Sequence, residues 1–338
     1  VEEVARIASL TKLKGKPLKR LHVGVTTQIF SPAQKREKIA RRKIASLGYN
    51  ECITYSFIDQ ASANLFGGGR DETKLENPIS SEMSHLRPNL LAGLLQAASR
   101  NQNRGFFDMG LFEVGPVFYG GKPEEQHLQV AGLLIGQTGP KDIHGECRRV
   151  DIFDVKADLQ TVLDAMGAPA SAQVLRGGNL WWHPARHGRI CLGPRKTIGV
   201  FGEIHPKILV TMGVKGPAVA FTVWPEEFPS PHKSLSAKPA LHLYDLQAVE
   251  RDLAFVVDQS IDAQIVINSA ASADKDLIEK VSLFDEFAGG TLAAGKKSLA
   301  ITIRLQPRQE TLIDDEIKVL VNKVIEKVIK ATGGELRD

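Results

Sequence analysis

The chain has 338 residues, 43% hydrophobic and 24% charged, with a formal net charge of +4. That length holds two domains with a core each, and the composition is that of an ordinary globular protein, not a disordered or collagen-like one. Cys52, Cys147 and Cys191 are far apart and form no C-x-x-C, so neither a disulfide framework nor a zinc module is indicated and a reducing cytoplasm is the simpler home; no apolar run approaches the ~20 residues of a membrane span.

The sequence starts on Val1 without a signal-peptide pattern, and its opening directly on VEEVARI suggests a larger parent. Glu2 and Glu3 begin a short helix expected to end near Leu13, where carboxylates in the first turn suit the dipole. Ser31, Pro32 and Gln34 mark a second helix start. Lys35, Arg36, Lys38, Arg41, Arg42 and Lys43 cluster on that helix, either as a solvated face or as an RNA patch. Gly48 ends it, and Glu51–Phe57 reads as a strand. Gly67, Gly68 and Gly69 form a loop outside any strand–Gly–helix context, so they are no phosphate cradle.

The stretch Asn77–Phe118 organises the first domain. It reads as an extended lead-in, a buried helix and a strand. Pro88 is placed in the first helical turn. Leu90, Leu91, Leu94, Leu95 and Ala98 follow at helical spacing, Gly105 stops the helix, and Leu111–Phe118 alternates as a strand. Gln129–Gly136 is a buried strand, and Asp151–Gly167 a strand-to-helix passage with Leu159, Val162, Leu163 and Met166 inward. His183 and His187 stand four apart, but Pro184 disfavours a helix there and no glutamate lies between them, so the zinc pattern is incomplete. Gly188–Leu192 and Ala218–Trp224 read as strands, and Ile198–Pro206 as a strand that runs into a helix start. Pro225, Pro229 and Pro231 break regular structure, and Phe228–Leu243 reads as a linker.

The last hundred residues read β-α-β-β-α-β. The strands are Asp252–Val257, Lys280–Phe287, Leu299–Leu305 and an edge beginning at Glu335; the helices are Ala263–Ala273 and one from a capping box at Thr311–Asp314 to Gly333. That order is the ferredoxin-like split motif. Gly290-x-x-x-x-Gly295–Lys296 nearly spells a P-loop, but Lys297 stands where Ser or Thr belongs and a strand follows, so a hairpin turn is the better account. From Ser236 onward there are 13 Lys and Arg against 17 Asp and Glu, so the basic excess lies in the earlier part. An acidic domain is a poor generic polyanion binder. RNA contact there needs a local patch that reads single-stranded bases by stacking and edge hydrogen bonds.

The runs NPIS, LRPNLLAGLL and LFEVGPVF resemble the first two signature regions of class II aminoacyl-tRNA synthetases, and more closely the catalytic-like domain of the phenylalanyl-tRNA synthetase beta-subunit family. The FDVKA, HP-x-R and GE-x-HP segments agree with it. In the last domain, Glu250–Asp252, Leu283–Asp285, Gly295–Ser298, Thr311–Leu312 and Leu336–Arg337 resemble that family's ferredoxin-fold anticodon-binding domain. The resemblance implies an α+β chain. Residues 1–20 would be the tail of a preceding helical domain, 21–228 a class II-like antiparallel sheet domain and 244–338 a ferredoxin-like domain. It implies a phenylalanine–tRNA ligase that uses ATP and Mg²⁺, built from two alpha and two beta subunits. The alpha subunit would do the chemistry, because the glycine-rich motif with its ATP-binding arginine is not visible here. This chain would be inert alone, pack against alpha around Leu90–Phe118, and hold the anticodon of phenylalanine tRNA with Arg251, Lys296, Lys297, Arg304, Arg308 and Arg337. Arg87 and Arg186 are expected in structural salt bridges. Glu2 and Glu3 would be magnesium ligands, as in a similar EEVAR run of the family, with upstream carboxylates that this chain lacks. Two alternatives stay open: a ligase active alone, and a protein-binding scaffold with no RNA role.

Overall fold

A computed structural model describes residues 1–17, 30–139, 143, 145, 147–169, 171–229, 243–290 and 292–337. The chain forms two compact units. One comprises Val1–Ala168, Asn179–His187 and Gly199–Phe228; the other comprises Pro169–Gly178, Gly188–Ile198 and Pro229–Asp338. Most of the expected linker, from 230 to 242, lies outside the described residues.

The elements before the linker are α1 (Glu2–Ala8), α2 (Pro32–Ser46), β1 (Asn50–Glu51), β2 (Phe57–Ile58), α3 (Gln60–Leu65), β3 (His85–Leu86), α4 (Leu90–Gln102), β4 (Met109–Phe118), β5 (Gln126–Ile135), α5 (Ile152–Met166), β6 (Gln173–Leu175), β7 (Trp182–Leu192), β8 (Lys196–Ile204), α6 (Pro206–Thr211) and β9 (Ala218–Val223). Seven strands form one sheet in the order β1-β4-β5-β9-β8-β7-β6. The β4–β5, β5–β9, β8–β9 and β6–β7 pairs are antiparallel, and the short β1 runs parallel to β4. Helix α4 packs on β4 and β5 through Leu90, Leu91, Leu94 and Leu95, all fully buried. Helices α2 and α5 pack on each other and on β4, β5 and β9. Helices on both faces explain why β4, β5 and β9 are near-continuous apolar runs.

Helix starts follow local chemistry. In α2, Ser31 Oγ accepts from Gln34 N at 3.2 Å, and Gln34 returns its oxygen to Ser31 N at 2.9 Å, the expected reciprocal box. Pro88 is not in the first turn of α4. Asn89 caps that helix by accepting from Leu91 N, because its side-chain oxygen reaches an orphan donor and leaves Pro88 one place outside. Asp151–Gly167 contains no strand: Asp151 accepts from Phe153 N and Asp154 N, so the helix begins at Ile152. Helix α1 ends at Ala8 and not near Leu13, since Ser9 takes a φ of 85° and a separate 3₁₀ turn follows. His183 and His187 lie on strand β7, not on a helix.

After the linker come β10 (Val249–Asp258), α7 (Ala263–Ala271), β11 (Ile278–Ala288), β12 (Lys296–Leu305), α8 (Asp314–Thr332) and β13 (Glu335–Leu336). Their order is the expected βαββαβ, and the sheet runs β11-β12-β10-β13. Both helices bury one face against it, with Val266, Ala270, Ile317, Leu320, Val324 and Val328 meeting Phe255, Val257, Leu299, Ile301, Ile303 and Leu305. Helix α8 starts later than expected. Ile313 is the flanking residue, and its N–H donates to Glu316 at 3.1 Å, so Thr311 takes no part in the cap.

Candidate nucleic-acid interface

The helices of the C-terminal domain cover one face of its sheet and leave the other open. Directly opposed residues of antiparallel strands share a face. Ser298, Ala300, Thr302 and Arg304 on β12 therefore share it with Val256, Ala254, Asp252 and Glu250 on β10, and with Phe287, Asp285, Ser282 and Lys280 on β11. Small residues occupy its middle. Arg337 N donates to Ala254 O on this side, and the Arg337 guanidinium lies 5.8 Å from the exposed Phe287 ring. A hollow of about 500 Å³ opens at the other end, lined by Glu250, Glu279, Lys280, Ser282, Thr302 and Arg304. Lys296 and Arg304 sit eight residues apart on one strand, about 26 Å, a span suited to a few nucleotides.

The six candidate cations do not form one cluster. Lys296, Arg304 and Arg337 belong to the open face. Arg251 and Lys297 pair across from Ile303 and Val257, so they take the helix side. Lys297 is buried and bonded to Glu286 at 3.1 Å. Arg308 follows β12, 3.9 Å from Asp276 and over the Tyr244 ring at 5.9 Å. Carboxylates hold the two strand cations of the open face: Lys296 pairs with Asp258 at 3.0 Å, and Arg304 with Glu279 at 2.7 Å and Glu250 at 3.0 Å. These bonds push the Arg304 guanidinium further up from its ordinary value. Phe287 was not among the residues picked from sequence. Its signal was the alternation of β11, blurred by register shifts between Ile278 and Lys280 and between Leu283 and Asp285.

At the other end of the chain, Glu2 and Glu3 occupy the first turn of α1, and Glu3 pairs with Arg6 at 2.6 Å. Among the described residues no three His, Cys, Asp or Glu side chains gather as a metal set. Two carboxylates from one exposed turn are fewer oxygen ligands than Mg²⁺ takes, so a site there needs further ligands. The basic run of α2 is partly used internally: Arg36 donates to Pro225 O and Phe228 O, and Arg41 binds Glu37, Glu51 and Val114 O.

Within the seven-stranded unit, Arg87 is 2% exposed. It donates to Glu113 at 2.7 Å, Thr54 Oγ1 at 2.9 Å, Pro116 O at 2.9 Å and Thr54 O at 3.4 Å. Glu113 also accepts from the Thr54 hydroxyl at 2.7 Å and from Thr54 N at 3.2 Å. The buried structural pair expected of Arg87 is present. Arg186 has its pair too, with Glu203, but on the surface, and this partner lowers the Glu203 pKa.

The segment beside Arg87 departs from the expected strand Glu51–Phe57. Only its ends pair, in β1 and β2, while the middle runs extended. Burial alternates strictly along it: Cys52, Thr54 and Ser56 turn inward, and Ile53, Tyr55 and Phe57 are 93%, 72% and 38% exposed. Large apolar groups outside and small polar groups inside invert the usual order.

Residues 19–223 match the family described as the phenylalanyl tRNA synthetase beta chain CLM domain. The chain belongs to the phenylalanyl-tRNA synthetase beta chain family. Residues 245–337 match the ferredoxin-fold anticodon binding domain, the unit that carries the open sheet face. Phenylalanine–tRNA ligase beta subunits from Ruegeria pomeroyi, Cereibacter sphaeroides and Brucella melitensis are 65%, 58% and 43% identical over 337, 341 and 343 residues, each covering all of this chain. The chain spans 42% of the length of these curated relatives. Among solved structures, the pyrrolysyl tRNA synthetase PylSc of Desulfitobacterium hafniense is a remote likeness, with a TM-score of 0.42 and 14% identity over 56% of this chain and 65% of that one. Among the described residues no helix is long and apolar enough to cross a membrane.

Proposed function

We propose that this chain works in the cytoplasm as the part of a phenylalanine–tRNA ligase beta subunit that packs against the alpha subunit and holds the anticodon region of phenylalanine tRNA. The observation that carries the RNA role is the sheet face that no helix covers: small residues, with Phe287 and Arg337 meeting across its middle strands, in a domain of the anticodon-binding family. Bases stack on such surfaces whatever the domain's net charge. ATP and Mg²⁺ serve the alpha subunit's chemistry in a heterotetramer of two alpha and two beta chains. The inert role of this chain is supported by Arg87, which Glu113 neutralises beneath the surface, leaving it no charge to offer a phosphate.

The alpha-packing surface is the arm Cys52–Phe57 with Ile79, which is 94% exposed. Around Leu90–Phe118, where packing is also expected, α4 and β4 are mostly buried by their own unit and Phe106 and Phe107 between them are exposed. An exposed apolar row of this kind marks a protein contact.

The test is binding of the whole enzyme to phenylalanine tRNA and to an anticodon-swapped tRNA across a salt series, with and without residues 244–338. A preference for the native anticodon that disappears with the truncation is the expected result. Unchanged affinity after truncation would favour the scaffold alternative, whose support is the carboxylate pairing of Lys296 and Arg304. Phenylalanine-dependent pyrophosphate exchange by the beta chain alone would end the inert assignment.

A further inference from the structure

We infer that the buried Arg87–Glu113–Thr54 cluster positions the apolar arm for the partner subunit. This rests on the alpha-packing role proposed above. The arm makes little ladder of its own: β1 gives two residue pairs to β4, β2 pairs Phe57 and Ile58 with Leu86 and His85 of β3, and between those ends the backbone bonds are Cys52 N to Phe112 O at 2.7 Å and Arg87 N to Ser56 O at 2.9 Å. Side chains supply the rest. The Glu113 carboxylate takes both the Thr54 N–H and its hydroxyl proton, while Arg87 reaches the Thr54 oxygens from the other side. Fixing one inward residue fixes its neighbours, because the pleat turns Ile53 and Tyr55 outward whenever Thr54 is held inward.

Two glycines make room for this cluster. A Cβ on Gly93 of α4 would lie 2.3 Å from Thr54 Oγ1, and a Cβ on Gly115 of β4 would lie 2.8 Å from an Arg87 terminal nitrogen. A side chain at Gly93 would clash with Thr54 itself, and one at Gly115 with the end of Arg87. Glycine inside a helix and inside a strand is locally unfavourable, so its use at both facing positions points to the cluster as the reason. Alpha then meets a row of side chains already set in place and does not have to order a loose segment on binding.

The experiment measures the dissociation constant between full-length beta and alpha, together with the thermal midpoint of beta. Variants are Ile53→Asp, Thr54→Val and Thr54→Ser. Ile53→Asp is expected to weaken association by more than about tenfold; if it does not, the alpha-packing role itself fails. Given that loss, Thr54→Val, which keeps shape and removes the hydroxyl, is expected to weaken association about three- to tenfold. Thr54→Ser is expected to restore it, and amide exchange over residues 53–57 should quicken in Thr54→Val alone. Wild-type association by Thr54→Val beside a weakened Ile53→Asp would overturn the positioning role. So would a Thr54→Val loss that Thr54→Ser shares, or one that only tracks a fall in the midpoint of beta.

Discussion

Replacing Arg87 by Met should be among the costliest single changes in the chain. It removes the cation from a carboxylate that is itself about as deeply buried, with side-chain exposures of 2% for Arg87 and 4% for Glu113. Glu113 then keeps only the Thr54 hydroxyl and N–H, and the Pro116 carbonyl loses its donor. Stranding one member of a buried pair costs about 3–5 kcal/mol, against total domain stabilities of about 5–15 kcal/mol. The control is Arg186→Met, whose pair with Glu203 has side-chain exposures of 50% and 15%; a water-screened pair of that kind contributes about 0–1 kcal/mol. Urea unfolding followed by circular dichroism gives both differences from the midpoints at constant slope. The double variant Arg87→Met/Glu113→Met should recover part of the loss, because no charge then remains buried. An Arg87→Met cost below about 1 kcal/mol, or equal to that of Arg186→Met, would refute the reasoning.

Tyr49 donates to Asp158 at 2.6 Å, and burial together with that carboxylate raises its pKa well above the usual tyrosine range. The folded state therefore holds the Tyr49 proton more tightly than the unfolded chain does. Its contribution is complete below pH about 10 and is lost as the pH rises further; Tyr49→Phe should flatten that alkaline fall in a pH series of thermal melts. Arg337→Ala is expected to weaken tRNA binding several-fold at constant stability, while Lys297→Ala should lower the midpoint of the C-terminal domain with little direct effect on RNA, since its ammonium is bound to Glu286. Equal RNA losses from the two would contradict the face assignment. Titration of this chain with Mg²⁺ should give millimolar or weaker binding, unchanged in Glu3→Gln, by calorimetry.

The periodic parts of the fold were legible because each has a local cause. Helix α8 carries Ile317, Leu320, Val324 and Val328 on one stripe, and β12 alternates Leu299, Ile301, Ile303 and Leu305 inward. The order βαββαβ followed from those two patterns and the turns between them. Cap positions were less legible: in LRPNLL both Pro88 and Asn89 favour a helix start, and only the hydrogen bond from Leu91 N decides. The candidate site was legible as a list of cations and not as a surface. Faces depend on register, and the two shifts in β11 change which of its side chains reach the open face. The carboxylates that claim Arg304 come from positions 250 and 279, far away in the chain. The arm left its trace in sequence as apolar residues at 53, 55 and 57 between Cys, Thr and Ser, but alternation alone does not say which set faces water.

The outer side of β4 has a further consequence. Past Phe112, among the described residues, that side meets no further strand, only Arg87 O through Phe118 N at 3.0 Å, and a bare row of carbonyls is a template on which other chains can add. Here Arg41 donates to Val114 O at 3.2 Å and Arg87 to Pro116 O at 2.9 Å, while Pro116 has no N–H to offer. Two guanidiniums, each paired to carboxylates of the same unit, and a proline occupy the border of the sheet. Copies of the chain are thus kept from stacking edge to edge, and the exposed apolar side chains of residues 53–57 alongside need not seed aggregation.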